Sequence, residues 1–300
     1  MTETWREELT EAVEVAEAAG AVTLQHFQAG AAVERKADRS PVTVADREAE
    51  RVMREMLRER FPRDGVLGEE GGEEAGSSGR RWVLDPIDGT RSFVHGVPLY
   101  GVMVALEADG EAVVGVLHFP ALEETVSAAR GMGCWWNEEP CRVSDRAGLE
   151  HALAVTSGDA RLKEPGPGAG RGDSGSDPGD GGGPGDTGSD GLPALADATA
   201  GLTDDPGLAA RITALRRLAG RVGTFRTWGD AYGYALVATG RAEAMLDPVL
   251  NIWDAAAVRP VIEEAGGVFT DWAGAARHTS GHVIATNVAL GDEVRELVAV

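Results

Sequence analysis

An apolar run, Arg81-Trp82-Val83-Leu84, ends in two carboxylates three residues apart, Asp85 and Asp88, and Gly89-Thr90 follow at once. The pattern predicts a strand that closes in charge and turns directly into a helix start. That arrangement has a definite chemical use. Both carboxylates suit a hard cation, and the backbone N–H groups of Gly89 and Thr90, at a helix N-terminus, suit a phosphate. One turn then brings metal and phosphate together. On its own, an Asp-x-x-Asp pair is better explained as a turn cap, so the rest of the chain has to decide.

Helical spacing of apolar residues runs from Thr4 to Phe27, with Gly30 as a stop, and again from Ala45 to Arg60, where Phe61-Pro62 ends it. Gly65–Gly68 and Arg81–Leu84 read as short strands. Tyr100–Glu107 and Ala112–Phe119 flank Asp109-Gly110, a strong hairpin signal. Glu124–Ala129 and Gly133–Trp136 read as the next pair, turning near Gly131. Residues 1–150 are therefore expected to fold as helices on an antiparallel sheet. Residues 151–300 alternate instead, with strands at Ala152–Val155, Gly223–Arg226, Ala242–Leu246, Gly267–Thr270 and Val283–Thr286. Helices are expected between and after them at Leu208–Leu218, Asp230–Thr239, Trp253–Ala265 and Asp292–Val298, an α/β layer. A tract of Gly, Asp, Pro and Ser, at about 164–191, interrupts this half; it holds no apolar residue larger than Ala169 and reads as a disordered surface insert.

Composition narrows the function classes. The chain has 300 residues, 43% of them hydrophobic, enough for a sizeable core. Its 28 Lys and Arg against 49 Asp and Glu leave a formal charge of −21. Such a field repels nucleic acid and anionic membrane surfaces, so neither is expected as a partner. No stretch reaches the roughly 18 consecutive apolar residues of a membrane span. Met1–Glu8 has neither the basic start nor the apolar run of a signal peptide. Cys134 and Cys141, the only cysteines, are too few for a disulfide framework and read as free thiols. A cytoplasmic protein is expected. The six histidines do not cluster: His278 and His282 lie four apart around Gly281, a poor zinc pair, and His95 reads as structural. Trp135 and Trp136, with no basic patch beside them, read as core or interface residues.

Further acidic segments tip the balance at Asp85 and Asp88. Gly68-Glu69-Glu70 closes the strand just upstream. Lys36 to Asp46, through Ser40-Pro41-Val42-Thr43, leads into the second helix, and Trp253-Asp254 opens the helix that runs to Glu263-Glu264-Ala265-Gly266-Gly267. With Asp-Pro-Ile-Asp-Gly-Thr, these elements resemble the inositol monophosphatase-like superfamily of magnesium-dependent, lithium-sensitive phosphatases, from the first helix to the C-terminus apart from the insert. The fold this implies is a layered α/β sandwich, an antiparallel sheet half followed by a mixed α/β half.

The resemblance also implies a site. Glu69, Asp85, the carbonyl of Ile87, Asp88 and Asp254 would ligate two or three Mg²⁺ ions, with Asp85 bridging two of them. Asp46 and Thr90 would orient and activate the attacking water, with Glu69 nearby, while Asp88, Gly89 and Thr90 meet the substrate. Oxygen-only ligands agree with Mg²⁺ chemistry. Among the other acids, Glu70 also reads as a surface group and Asp38 as a cap. The run Gly89-Thr90-Arg91-Ser92 and the Gly-Asp-x-Tyr segment Gly229–Tyr232 resemble the histidinol-phosphatase branch, and Asp247 stands where inositol phosphatases usually carry Glu. Arg91, Arg226, Asp230 and Asp247 are thus the candidate substrate residues, although Asp230 is equally explained as a first-turn helix acid. The expected function is hydrolysis of a small phosphate monoester, histidinol phosphate first, by a homodimer as in the family. An inositol monophosphatase, a sugar or nucleotide bisphosphate phosphatase, and a non-catalytic binding protein on the same fold remain the alternatives.

Overall fold

Asp109 and Gly110 both take positive φ, 52° and 78°, the twisted two-residue turn that joins neighbouring antiparallel strands. The computed structural model describes residues 5–29, 33–35, 41–157 and 206–300. Gly30, Lys36, Asp38 and the insert expected at about 164–191 lie outside the described residues.

The first half opens with α1 (Arg6–His26), then β1 (Val33–Arg35) and β2 (Pro41–Thr43), which pair with each other, and α2 (Val44–Arg60). There follow β3 (Gly65–Gly68), β4 (Gly72–Glu74), β5 (Arg80–Asp88), the short α3 (Thr90–Val94), β6 (Gly101–Ala108), β7 (Glu111–Phe119), β8 (Glu124–Ala129), β9 (Cys134–Trp136) and β10 (Glu139–Cys141). These last eight strands form one sheet in the order β10-β9-β8-β7-β6-β5-β3-β4. The sheet is antiparallel as expected except at one place: β3 and β5 run parallel. The polar strand β4, paired antiparallel to β3, uses up the hairpin, so the chain returns to start β5 in the same direction.

The second half holds β11 (Leu153–Val155), α4 (Pro206–Ala219), β12 (Thr224–Arg226), α5 (Asp230–Ala238), β13 (Ala244–Asp247), α6 (Ile252–Ala256), α7 (Val258–Glu264), β14 (Val268–Thr270), β15 (Val283–Thr286) and α8 (Gly291–Val298). Its sheet, in the order β12-β11-β13-β15-β14, is mixed: β11 runs parallel to β12 and β13, and β15 antiparallel to β13 and β14.

Strand alternation explains the layering, because successive side chains face opposite sides. Trp82, Leu84, Val102, Val104 and Leu106 face α1 and α2, where Ala12, Val15, Ala16, Ala49, Met53 and Leu57 meet them. Val83, Met103, Ala105, Leu117 and Phe119 face α5, α6 and α7, which in turn meet Val155, Met245, Val283 and Ala285 of the smaller sheet. Leu246 and Ile284 face the other way, onto Leu215, Leu218, Val294 and Val298 of α4 and α8. Five layers result, with α5, α6 and α7 sandwiched between the two sheets. Cys134 and Cys141 are free thiols, paired in register across β9 and β10.

The helix expected over Trp253–Ala265 is broken in two at Ala257. Pro260 accounts for the break: it has no N–H for the carbonyl four residues back, that of Ala256, where α6 ends. The two pieces settle directly on the large sheet. At Gly115 of β7 an added Cβ would lie 2.1 Å from the Ala257 carbonyl oxygen and 2.8 Å from Pro260 Cγ. Replacing Gly115 by Ala should therefore cost about 1–3 kcal/mol or more from overpacking. Urea denaturation reads this as a lower midpoint, and an unchanged midpoint would show that α6 and α7 have room to retreat.

Candidate active site

The end of β5 shows how two carboxylates three residues apart can share one site. In a regular strand, side chains at i and i+3 face opposite ways. Here the register against β6 slips between Asp85, opposite Met103, and Asp88, opposite Gly101. Three residues on β5 thus span two on β6, a bulge that turns the strand by one position. Pro86 sits inside it, where a missing N–H costs least. Asp85 Oδ1 accepts the Ile87 N–H at 3.0 Å and fixes the turn.

Asp254, on the first turn of α6, completes the cluster. One carboxylate oxygen each from Asp85, Asp88 and Asp254 lies within 4.8 Å of the others. Among the described residues no cation is ion-paired to any of the three. Burial holds the Asp85 and Asp88 carboxyls well above the usual carboxylate range. The charges of Glu69, Asp88, Asp254 and Asp46 push Asp85 further up, and those of Asp230, Asp254 and Asp247 do the same to Asp88. Burial pushes Asp254 up to about 6, against the pull of the Asn251 N–H that donates to it at 2.7 Å. Carboxylate oxygens crowded this closely, with their pKa values raised chiefly by burial, fit a hard divalent cation.

Glu69 belongs to the turn after β3; its N–H reaches the Leu84 carbonyl at 3.2 Å, and its carboxylate raises the proton affinity of both Asp85 and Asp254. Asp46 is the third residue of α2. Its Oδ2 accepts the Thr43 N–H at 2.7 Å and the Thr43 hydroxyl at 2.6 Å, closing a capping box. Burial raises the Asp46 pKa, while Thr43 lowers it in part, and Asp46 Oδ1 is buried with no hydrogen-bond partner. Thr90 donates to the Ile87 carbonyl at 3.1 Å. Asp46 and Thr90, expected to act together, are thus not hydrogen-bonded to each other.

Gly89 caps α3 at φ 82°, and an added Cβ would lie 3.0 Å from Asp230 Oδ2. Both facts make glycine the residue for this position. Asp230, itself at φ 54°, opens α5 beside it. The next residue, Ala231, donates its N–H to Asp88 Oδ2. Behind them lies a relay absent from the sequence reading. Ser157 Oγ accepts the Asp230 N–H at 2.7 Å and donates to Asp247 Oδ2 at 2.9 Å, and Tyr234 also donates to that oxygen, at 2.8 Å. Asp247 is buried, and its other oxygen accepts the Ser157 N–H at 3.1 Å. The available signals were slight: Ser157 follows a buried strand, and Tyr234 lies one helical turn after Asp230. Arg91 and Arg226 are exposed; the Arg226 guanidinium donates to the carbonyl of Phe225, at 2.8 Å. Among the described residues neither is ion-paired to a carboxylate of the cluster. His278 pairs with Glu107 at 2.6 Å, and His282 accepts from the Trp272 N–H, so the two have separate partners.

Comparison with known proteins places the chain in a family. The profile of the inositol monophosphatase family matches residues 5–164 and 198–299. The chain belongs to this family. It is 40% identical to a histidinol-phosphatase of Chlorobaculum parvum over 96% of this chain and 94% of the relative. It is 34% identical to an inositol-1-monophosphatase of Rhizobium meliloti over 86% and 82%. The solved structure of extragenic suppressor protein suhB from Bartonella henselae superposes with a TM-score of 0.77 at 28% identity, covering 97% of this chain and 98% of that one. This member of the inositol monophosphatase family is a phosphatase, a hydrolase of small phosphoric monoesters. No helix among its described residues is long and apolar enough to cross a membrane.

The phosphatase should show its site in stability as well as in rate. The folded pKa of Asp254, about 6, lies above its ordinary value of 3.8, so the folded state holds the extra proton between those limits. The contribution of this group to stability is therefore full below about pH 4 and is lost as pH rises through about 6. Without divalent cations, Asp254→Asn should gain thermal stability relative to the native chain between pH 5 and pH 7.5. Mg²⁺ should raise the midpoint of the native chain at pH 7.5 and do so far less for the variant. Calorimetric scans at both pH values, with and without Mg²⁺, measure both effects.

Proposed function

We propose that this phosphatase hydrolyses L-histidinol phosphate to L-histidinol and phosphate, with Mg²⁺ as its cation, as a step of histidine biosynthesis in the cytoplasm. The observation that carries the choice of substrate is the carboxylate of Asp230 beside Gly89. Histidinol phosphate brings an ammonium and a protonatable imidazole to that position. Inositol phosphate brings only neutral hydroxyls. A carboxylate favours the cationic amino alcohol through charge-assisted hydrogen bonds. Its similarity to the Chlorobaculum parvum histidinol-phosphatase supports the same reading.

The residues divide the work. Glu69, Asp85, Asp88, Asp254 and the Ile87 carbonyl would hold two or three cations. Bound there, Mg²⁺ offsets the phosphate charge, lowers the pKa of water and stabilises the leaving alkoxide. The N–H groups of Gly89 and Thr90 receive phosphate oxygens. Asp46, whose proton affinity burial has raised, takes the proton of the attacking water through the Thr90 hydroxyl. For this the Thr90 side chain has to leave the Ile87 carbonyl and turn to Asp46 Oδ1. Asp230 grips the leaving amino alcohol, and Asp247 supports it from behind through Ser157. Exposed Arg91 and Arg226 meet the substrate only from the rim.

A second reading, inositol-1-monophosphatase, has the Rhizobium meliloti relative in its favour. A panel of histidinol phosphate, inositol 1-phosphate, fructose 1,6-bisphosphate and a 3′,5′-bisphosphonucleoside, assayed for Mg²⁺-dependent phosphate release, separates the two. Histidinol phosphate should give the highest kcat/KM, and a preference for inositol 1-phosphate would overturn the substrate assignment. Asp88→Asn should reduce kcat by orders of magnitude with the fold intact, because the lost charge acts mainly in the transition state. Asp230→Asn should raise KM for histidinol phosphate about 10- to 100-fold, the 1.5–3 kcal/mol of a charged hydrogen bond, and leave hydrolysis of p-nitrophenyl phosphate nearly unchanged. Equal losses on both substrates would assign Asp230 a purely structural part.

A further inference from the structure

Glu50 is a buried carboxylate that the chemistry above does not use. It lies one turn beyond Asp46 on the same face of α2, and both are almost fully enclosed, at 2% and 1% exposure. Its two oxygens are both bound by the turn between β3 and β4. Oε2 accepts the Glu70 N–H at 2.7 Å, and Oε1 accepts the Gly71 N–H at 2.8 Å. Arg54, one turn further along α2, donates to Glu50 Oε1 at 2.7 Å and continues over the same turn, to the Gly72 carbonyl at 2.6 Å and to Glu74 at 2.9 Å. The glycines of the turn make room for this clasp. An added Cβ would lie 2.4 Å from Glu50 Oε1 at Gly68 and 2.7 Å from it at Gly71.

The clasped segment carries Glu69. On one side Glu69 is tied to β5 through the Leu84 carbonyl, next to Asp85; on the other side its two following N–H groups end on Glu50. We propose that Glu50 is a positioning residue for cation binding: with Arg54 it locks the Glu69 turn to α2, so that Glu69 and Asp46 face Asp85 at fixed spacing. The proposal rests on the reading of the acidic cluster as a divalent-cation site. The demand for a carboxylate is specific. Two parallel N–H donors and a guanidinium all require acceptors. An amide in place of Glu50 turns an NH₂ toward one of those donors and removes the charge that Arg54 faces. Groups that orient metal ligands from behind typically alter affinity by about 10- to 100-fold.

Glu50→Gln tests this by titration calorimetry with Mg²⁺ alone on the full chain, alongside kinetics at varied Mg²⁺. The Mg²⁺ dissociation constant should rise about 10- to 100-fold. Saturating Mg²⁺ should restore most of kcat, with KM for the phosphate ester little changed. Gly71→Ala presses a methyl on the clasp from the loop side without altering α2. It should shift Mg²⁺ affinity in the same direction, and it carries the test if Glu50→Gln fails to fold. A folded variant that loses thermal stability yet binds Mg²⁺ as tightly as the native chain overturns the proposal and makes the clasp structural. A native chain that binds no Mg²⁺ overturns the cation reading itself, and this inference with it.

Discussion

Like charges crowded at the end of β5 are the constraint around which the rest of the protein is arranged. Asp85, Asp88 and Asp254 repel one another, and Asp46, Glu69, Asp230 and Asp247 add to the field at one or more of them. The fold tolerates this by pointing backbone N–H groups at the carboxylates. Thr43 and Asn251, at the caps of α2 and α6, donate to Asp46 and Asp254, and Ala231, in the first turn of α5, donates to Asp88. Helix starts carry partial positive charge, and these three converge on the cluster from two layers. The Pro260 break serves the same end. With the break, α6 packs on β5 and β6 at the site while α7 packs on β7 and β8.

The site also explains why neither half of the chain would suffice. Asp85 and Asp88 come from the large sheet. Asp254 and Asp230 come from helices between the sheets, and Ser157 and Asp247 come from the smaller sheet. The relay from Asp247 through Ser157 to the Asp230 backbone joins the smaller sheet to the carboxylate beside Gly89. In the proposed roles, substrate choice and cation binding rest on different supports: Ser157 and Tyr234 on one side of β5, Glu50 and Arg54 on the other.

Much of this was legible in the sequence, for reasons that are local. Periodicity located α1, α2 and the β6–β7 hairpin, since each follows from apolar spacing and from turn residues a few positions apart. The Asp-Pro-Ile-Asp-Gly-Thr run marked the site because chemistry and backbone geometry are packed into six residues. What escaped depends on contacts distant in sequence. The strand β4 is Gly72-Glu73-Glu74, exposed throughout, and has no pattern of its own; it is a strand because β3 offers it a ladder. The parallel pairing of β3 and β5 follows from it. Glu50, Ser157 and Tyr234 look in sequence like ordinary polar or core residues, and only the tertiary fold turns them inward toward other backbone groups.

Asp46 and Asp254 share a feature that bears on how such a protein can change over generations. Each is the third residue of its helix and closes a capping box, so the group that serves the site also starts the helix. Asp85 and Asp88 close no capping box; each accepts one backbone N–H, from Ile87 and from Ala231. A lineage released from selection for activity could thus exchange any of these carboxylates for an amide, which relieves the repulsion and keeps an oxygen acceptor, but a residue with no acceptor at position 46 or 254 would cost about 0.3–1.5 kcal/mol with each abandoned cap. Decay is therefore ordered by the fold itself. A descendant that has lost its chemistry should still carry Asp or Asn at positions 46 and 254, and would keep the outline of an active site long after the activity had gone.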